Sequence, residues 1–139
     1  MHDSKLNLMS TRFVILQHKT SDGEHWDLML ERGEMLLTWQ LPRAPRDGSD
    51  FPMPARRIAD HRKRYLAYQG PIGGGRGEVR RVDAGTVEFQ EFTAASCRIR
   101  LRGGRLRGEF SLEREGDTWV IGIVQLRRGP VGPIDDKGP

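Results

Sequence analysis

The sequence predicts a mainly all-β fold, a small antiparallel β-barrel of about eight strands with short helical or irregular connections. Three observations carry that expectation. Short stretches repeatedly alternate apolar and polar residues with period two, as in "HWDLMLE" and "SCRIRLR". Gly, Pro and Asp residues punctuate those stretches, and the chain contains 17 Gly. With 139 residues, 36% hydrophobic and 30% charged, it can build a single core but offers few helix signals. Closing a sheet into a barrel would also remove exposed edges.

The expected elements follow in order. Residues 1–11 show no clear period and read as a flexible arm, ahead of one folded domain over 12–126. "RFVILQH" is a strand, a turn at "TSDG" leads into "HWDLMLE", and "RG" turns the chain into "EMLLTWQL". In these strands Trp26, Leu28 and Leu30 share one face, as do Met35, Leu37, Trp39 and Leu41. Pro42, Pro45, Pro52 and Pro54 then impose an irregular connection up to about Arg56. Periodicity leaves "IADHRKRYLAY" open between a helical turn and an extended segment, and "GPIGGGRG" is a loop. "EVRRVD", "TVEFQEF", "SCRIRLR", "LRGEFSLERE" and "DTWVIGIVQL" read as five further strands. The Pro- and Gly-rich tail over 127–139 has the composition of disorder.

Composition narrows the setting. "FVIL" and "WVIGIV" are too short to span a bilayer, and the N-terminus shows no signal-peptide pattern. A lone Cys97 on an inward strand position reads as an inert core thiol in a reducing compartment, so a cytoplasmic, nucleoid-associated monomer is expected. The net charge of +4 is dominated by Arg, including Arg98, Arg100, Arg102, Arg105 and Arg107. Either these form a solvated face or they contact phosphates, for which a guanidinium's planar fork of donors is suited.

The chemically suggestive stretch is "QHKTSDGEHWDLMLE". On an extended strand His25 and Asp27 stand together opposite the apolar trio, and His18 ends the preceding strand. Two imidazoles and a carboxylate form a frequent ligand set for catalytic divalent metals. An ordinary half-buried strand also carries such residues on its polar face, and spacing alone does not separate the two readings. The Gly-rich "GGGRG" lacks the Gly-Lys-Ser/Thr ending of a P-loop and reads as a turn from which Arg76 could touch a nucleic-acid backbone. Trp26, Trp39, Trp119 and Tyr68 read as packing residues.

The series "RFVILQH…HWDLMLE…LLTWQLPRAP…DHRKRYLAYQG…DAGTVEF…LRGEFSLER…W" resembles the 3′-phosphoesterase domain of bacterial and archaeal DNA ligase D, from about Arg12 to Val124. The resemblance implies a compact β-barrel with a polar groove. It also implies a manganese-dependent phosphoesterase (with zinc or another transition metal as alternatives) that removes a terminal ribonucleoside and then the 3′-phosphate from DNA ends. By position, His18, His25 and Asp27 would ligate the metal, His61 would contact the phosphate, and Tyr65 would sit beside it. Arg12 matches the basic residue that opens the first strand. The implied setting is DNA repair by non-homologous end joining, with DNA 3′ ends and a ligase, polymerase or Ku-type protein as partners.

The sequence also departs from that pattern. Met29 stands where the family carries an Arg after His-aromatic-Asp, and Met53 where it carries a second. Arg56 and Arg57 lie close enough to substitute for the latter in a different register. The loop between His18 and His25 is one residue longer than usual, and the Gly-rich loop is shorter and lacks an aromatic. The acidic residues of the family's longer N-terminal arm have no expected counterpart. The alternative to an enzyme is therefore a nucleic-acid-end binding module of the same fold with weakened or no turnover.

Overall fold

A computed structural model describes residues 10–126, so positions 1–9 of the expected 1–11 arm and the tail over 127–139 lie outside the described residues. Ser10 and Thr11 of that arm belong instead to the first strand, paired with Glu88 and Val87. Eight strands of seven residues or more form the body: β1 Ser10–Thr20, β2 Gly23–Arg32, β3 Met35–Leu41, β5 Arg56–Arg62, β7 Glu78–Phe92, β8 Ser96–Gly103, β9 Arg107–Glu115 and β10 Thr118–Leu126. Two-residue strands, β4 Met53–Pro54 and β6 Gly70–Pro71, complete them. The mainly all-β expectation holds, and every pairing is antiparallel. "EVRRVD" and "TVEFQEF", read as two strands, are one continuous strand, bent by register shifts against β1 and β8. The segment left open resolves into both alternatives: β5 and then a 3₁₀ turn at Lys63–Leu66.

The sheet is not a closed barrel. Its ladder runs β4-β10-β9-β8-β7-β1-β2-β3-β5, so β4 and β5 are its two ends. These ends are consecutive in the chain with only Ala55 between them, and the Ala55 N–H donates to Trp119 O at 2.9 Å. One stretch of chain thus carries both edges, which curls the sheet around its core without a continuous ladder.

Two apolar clusters result. The larger lies inside the curl, where Phe13, Ile15, Leu28, Leu30, Trp39 and Phe110 meet. Strand alternation supplies it, as Cys97, Ile99 and Leu101 show on β8. The smaller lies on the outer face of β1–β3 and contains Val14, Leu16, Met29, Leu36 and Val79, with Tyr65, Leu66, Tyr68 and Ile72 packed over it. The runs "FVIL" and "LML" are apolar on both sides because both sides of these strands are covered. Glu31 ties down this cover: its carboxylate accepts from the backbone and guanidinium of Arg12 and pairs with Lys63 Nζ at 3.2 Å. The expected packing of Trp26, Trp39, Trp119 and Tyr68 is observed.

Candidate metal centre and phosphate cleft

β1 and β2 pair so that His18 lies directly opposite His25, and β2 alternation puts Asp27 on the same outer face. One ligand atom from each residue falls within 4.8 Å of the other two. His18 Nδ1 is 3.1 Å from His25 Nε2, which is 3.2 Å from Asp27 Oδ1. The sequence-level convergence of the three is therefore present in the fold.

Hydrogen-bond partners fix where the protons of this cluster sit. His18 Nε2 lies 2.7 Å from the backbone carbonyl of Arg76. A carbonyl only accepts, so Nε2 carries the hydrogen and a neutral His18 turns a bare Nδ1 lone pair inward. Gln40, opposite Asp27 on β3, brings its amide nitrogen to 3.3 Å from His25 Nε2. That amide donates, so His25 Nε2 is an acceptor as well. Asp27 is 3% exposed, and its Oδ1 is buried without a hydrogen-bond donor. Once Asp27 is ionised, three electron-pair donors thus face one another with no proton among them. Such an arrangement is costly when left alone and fits a divalent cation.

The electrostatics agree. Burial pushes the Asp27 carboxyl up to about 7. Burial, followed by the charges of His18 and Arg56, lowers the pKa of His25 and keeps its imidazole neutral, as a ligand must be.

A cleft of about 90 Å³ adjoins the cluster, and its walls include His18, Asp27, Met29, His61, Tyr65 and Arg76. The His61 and Tyr65 rings meet edge to face at 5.6 Å. His61 Nδ1 is 2.9 Å from the Ala59 carbonyl and so carries its hydrogen there, which leaves Nε2 as the ring's remaining polar atom. A register shift between β3 and β5 separates the Leu36–His61 pair from the Thr38–Ile58 pair. Met29 is 1% exposed and forms the apolar floor.

Not every expected phosphate ligand reaches this cleft. Arg12 is spent on a two-point ion pair with Glu31, six residues along β1 from His18. Arg57 stacks over the Trp39 ring at 4.9 Å and pairs with Asp60, so it faces away from the cluster. Arg56 lies opposite Gln40 and acts electrostatically on His25, which makes it the arginine at the cluster's edge. Arg76 lines the cleft, although its Nε–H donates to Gly73 O. Met53 is a core residue opposite Ile121, and no polar role is open to it there. On β8, Arg100 is held by Glu88 and Glu109, while Arg98 and Arg102 are exposed.

Sequence reasoning missed Gln40 and the Arg76 carbonyl. Alternation in "LLTWQL" could have identified Gln40, since it is the outward neighbour of Trp39 and Leu41. The carbonyl leaves no trace in side-chain pattern.

A family model described as the DNA ligase D 3′-phosphoesterase domain matches residues 16–114. The chain is 31% identical over 116 residues to a multifunctional non-homologous end joining protein LigD of Mycobacterium bovis. It has the same identity over the same length to a multifunctional non-homologous end joining DNA repair protein LigD of Mycobacterium tuberculosis. Each alignment covers 78% of this chain and 15% of the relative, so the chain spans a small part of the proteins it matches.

Proposed function

Because the chain belongs to the DNA ligase D 3′-phosphoesterase domain family, we propose that it is a metal-dependent phosphoesterase that trims 3′-phosphate or 3′-ribonucleotide ends of DNA during repair. The observation that carries this reading is the convergence of His18, His25 and Asp27 beside a cleft also lined by His61 and Tyr65. Two imidazoles and one carboxylate suit manganese, with zinc or another transition metal as alternatives.

When bound, a divalent cation held by His18, His25 and Asp27 supplies Lewis acidity to a phosphoryl oxygen. The protein's own groups do the rest. The Arg76 carbonyl holds the His18 ring with Nδ1 inward, and Gln40 orients His25. His61, fixed through Nδ1, offers Nε2: as an imidazolium it hydrogen-bonds a phosphoryl oxygen or protonates the leaving oxygen. Tyr65 holds that ring edge to face, and Arg56 adds positive charge at the rim. The apolar floor around Met29 lowers the local dielectric, which strengthens each charge–phosphate contact.

A second reading, an end-binding module without turnover, is favoured by one observation. Met29 fills a position where the family carries a phosphate-gripping arginine, and removing such an electrostatic partner commonly costs ~10²-fold or more in rate. End-labelled 3′-phosphate DNA incubated with the protein and manganese separates the two. Conversion to a 3′-hydroxyl end, absent in His25→Ala, supports the enzyme. Binding without conversion supports the module. Among the described residues no helix is long and apolar enough to cross a membrane.

A further inference from the structure

A second cavity, of about 190 Å³, opens on the opposite face of the same β1–β2 hairpin. Its floor is apolar, with Ile15, Trp26 and Val82, and its rim carries Arg46, Arg80 and Arg105. We propose that this cavity holds an internal nucleotide of a single nucleic-acid strand, with the phosphate on the arginine rim and the sugar or base against the floor. This rests on the reading of the chain as acting on DNA ends, and it adds where the rest of the strand is held.

These arginines differ from the ion-paired ones of the protein. Arg12, Arg57 and Arg100 are each paired with a carboxylate at 3.3 Å or less. Among the described residues, Arg46, Arg80 and Arg105 have no carboxylate within ion-pair distance. Their surroundings nevertheless fix their placement. The backbone N–H of Arg46 donates to Asp50, and that of Arg105 donates to Asp83. Arg80 donates to the Gln17 side chain, whose own amide is held by Glu24. The one carboxylate lining the cavity, Asp83, is engaged by the backbone N–H groups of Ala84, Arg105 and Leu106. Three cations around one internally satisfied anion leave an excess of positive charge for an outside phosphate.

The location selects a strand rather than a small anion. Gln17 pairs with Trp26 and His18 pairs with His25, so adjacent cross-strand pairs serve opposite faces. A strand whose 3′ end enters the metal cleft therefore meets this cavity by passing around the hairpin. The half-buried Trp26 offers an apolar surface that a base or sugar can use regardless of sequence.

The test is fluorescence anisotropy of a labelled single-stranded oligonucleotide bearing a 3′-phosphate, in chelator so that nothing turns over. The triple variant Arg46→Ala, Arg80→Ala, Arg105→Ala should raise Kd about tenfold at low salt, and the salt dependence should become shallower by about 0.7 for each phosphate no longer neutralised. A charge-matched triple, Arg98→Ala, Arg102→Ala, Arg114→Ala, should weaken binding clearly less. The indole N–H resonance of Trp26 should shift with the oligonucleotide in wild type and not in the first triple. Equal weakening in both triples would mean diffuse attraction and would overturn the proposal. A Trp26 shift with inorganic phosphate but none with the oligonucleotide would overturn it too, leaving a small-anion site. Binding through the rim with no turnover in manganese would sink the phosphoesterase reading alone, whereas turnover with a silent rim would sink only this one.

Discussion

His18 Nε2 lies 2.7 Å from the backbone carbonyl of Arg76, and this single contact decides which nitrogen His18 turns toward Asp27 and His25. The contact exists because the loop runs tightly against the end of β1. Gly77, at φ +90°, permits this: a Cβ there would fall 1.9 Å from the Lys19 carbonyl oxygen. Side chains rarely adopt that φ, and backbone cannot yield as a side chain can.

Gly77→Ala should therefore lift the loop and release the His18 ring while leaving the sheet intact. Removing an outer partner of a metal-binding His typically costs 10–100-fold in affinity. Titration calorimetry with manganese or zinc should show a loss in that range. Gly73→Ala, where a Cβ meets nothing within 4 Å, should leave affinity unchanged.

Asp27 makes metal removal visible as a pH effect. Its folded pKa, about 7, lies above the ordinary 3.8 because burial disfavours the charge. The folded protein thus binds a proton more tightly than the unfolded chain, and its contribution to stability is full below 3.8 and declines as pH rises toward 7. Metal-free wild type should lose stability over that window relative to Asp27→Asn in urea melts. Saturating manganese should reverse the order, because the wild-type carboxylate then has a cation and the amide does not.

Glu31, on the same face of β2, should show the opposite sign. Its hydrogen bonds to Arg12, with the contribution of Lys63, hold its carboxyl at about 2, below the ordinary 4.5. Its stabilisation is present above 4.5 and is lost as pH falls toward 2. Glu31→Gln should remove that acid-side loss. It should also loosen the Lys63–Leu66 turn, detected as faster amide exchange at Tyr65 and Leu66 with β8 and β9 unchanged.

Much of this was legible in the sequence. Period-two alternation located seven of the eight longer strands, reading β7 as two and leaving β5 open, because one face of each lies against the core, as with Cys97, Ile99 and Leu101. It also put His25 and Asp27 on one face, and the pairing of β1 with β2 then supplied His18. What alternation could not give was the second, outer cluster. "FVIL" has no polar face, and only the packing of Tyr65, Leu66 and Ile72 reveals what covers Val14 and Leu16. Closure was illegible for a related reason. The two sheet edges are joined through Ala55 and a short hydrogen bond to Trp119, and no hydrophobic pattern encodes that. The arginines were the least readable, since whether a guanidinium is free depends on a carboxylate far away in sequence. Arg12 with Glu31 and Arg100 with Glu109 are such cases.

Met29 is the position where this chain's chemistry can be changed most directly. Its side chain follows Asp27 on the outer face and lines the cleft, yet it is 1% exposed among Val14, Leu16, Leu36 and Val79. An arginine there would lay its aliphatic stem where the thioether lies and carry its guanidinium toward the cleft mouth near His61 and Tyr65. Two effects should then appear together in Met29→Arg. Overfilling a packed apolar site should lower stability by about 1–3 kcal/mol in urea denaturation. The new cation should tighten phosphate binding and raise manganese-dependent turnover on 3′-phosphate DNA, since a fixed guanidinium complements charge on phosphoryl oxygens. Met29→Leu, similar in volume and uncharged, should change neither by much. His25→Ala combined with Met29→Arg should abolish the gain in turnover by removing a metal ligand, while the stability cost persists. If steady-state kinetics show a folded Met29→Arg protein with unchanged turnover and phosphate affinity, then a cation such as Arg56 already fills the role or the cleft does not handle phosphate.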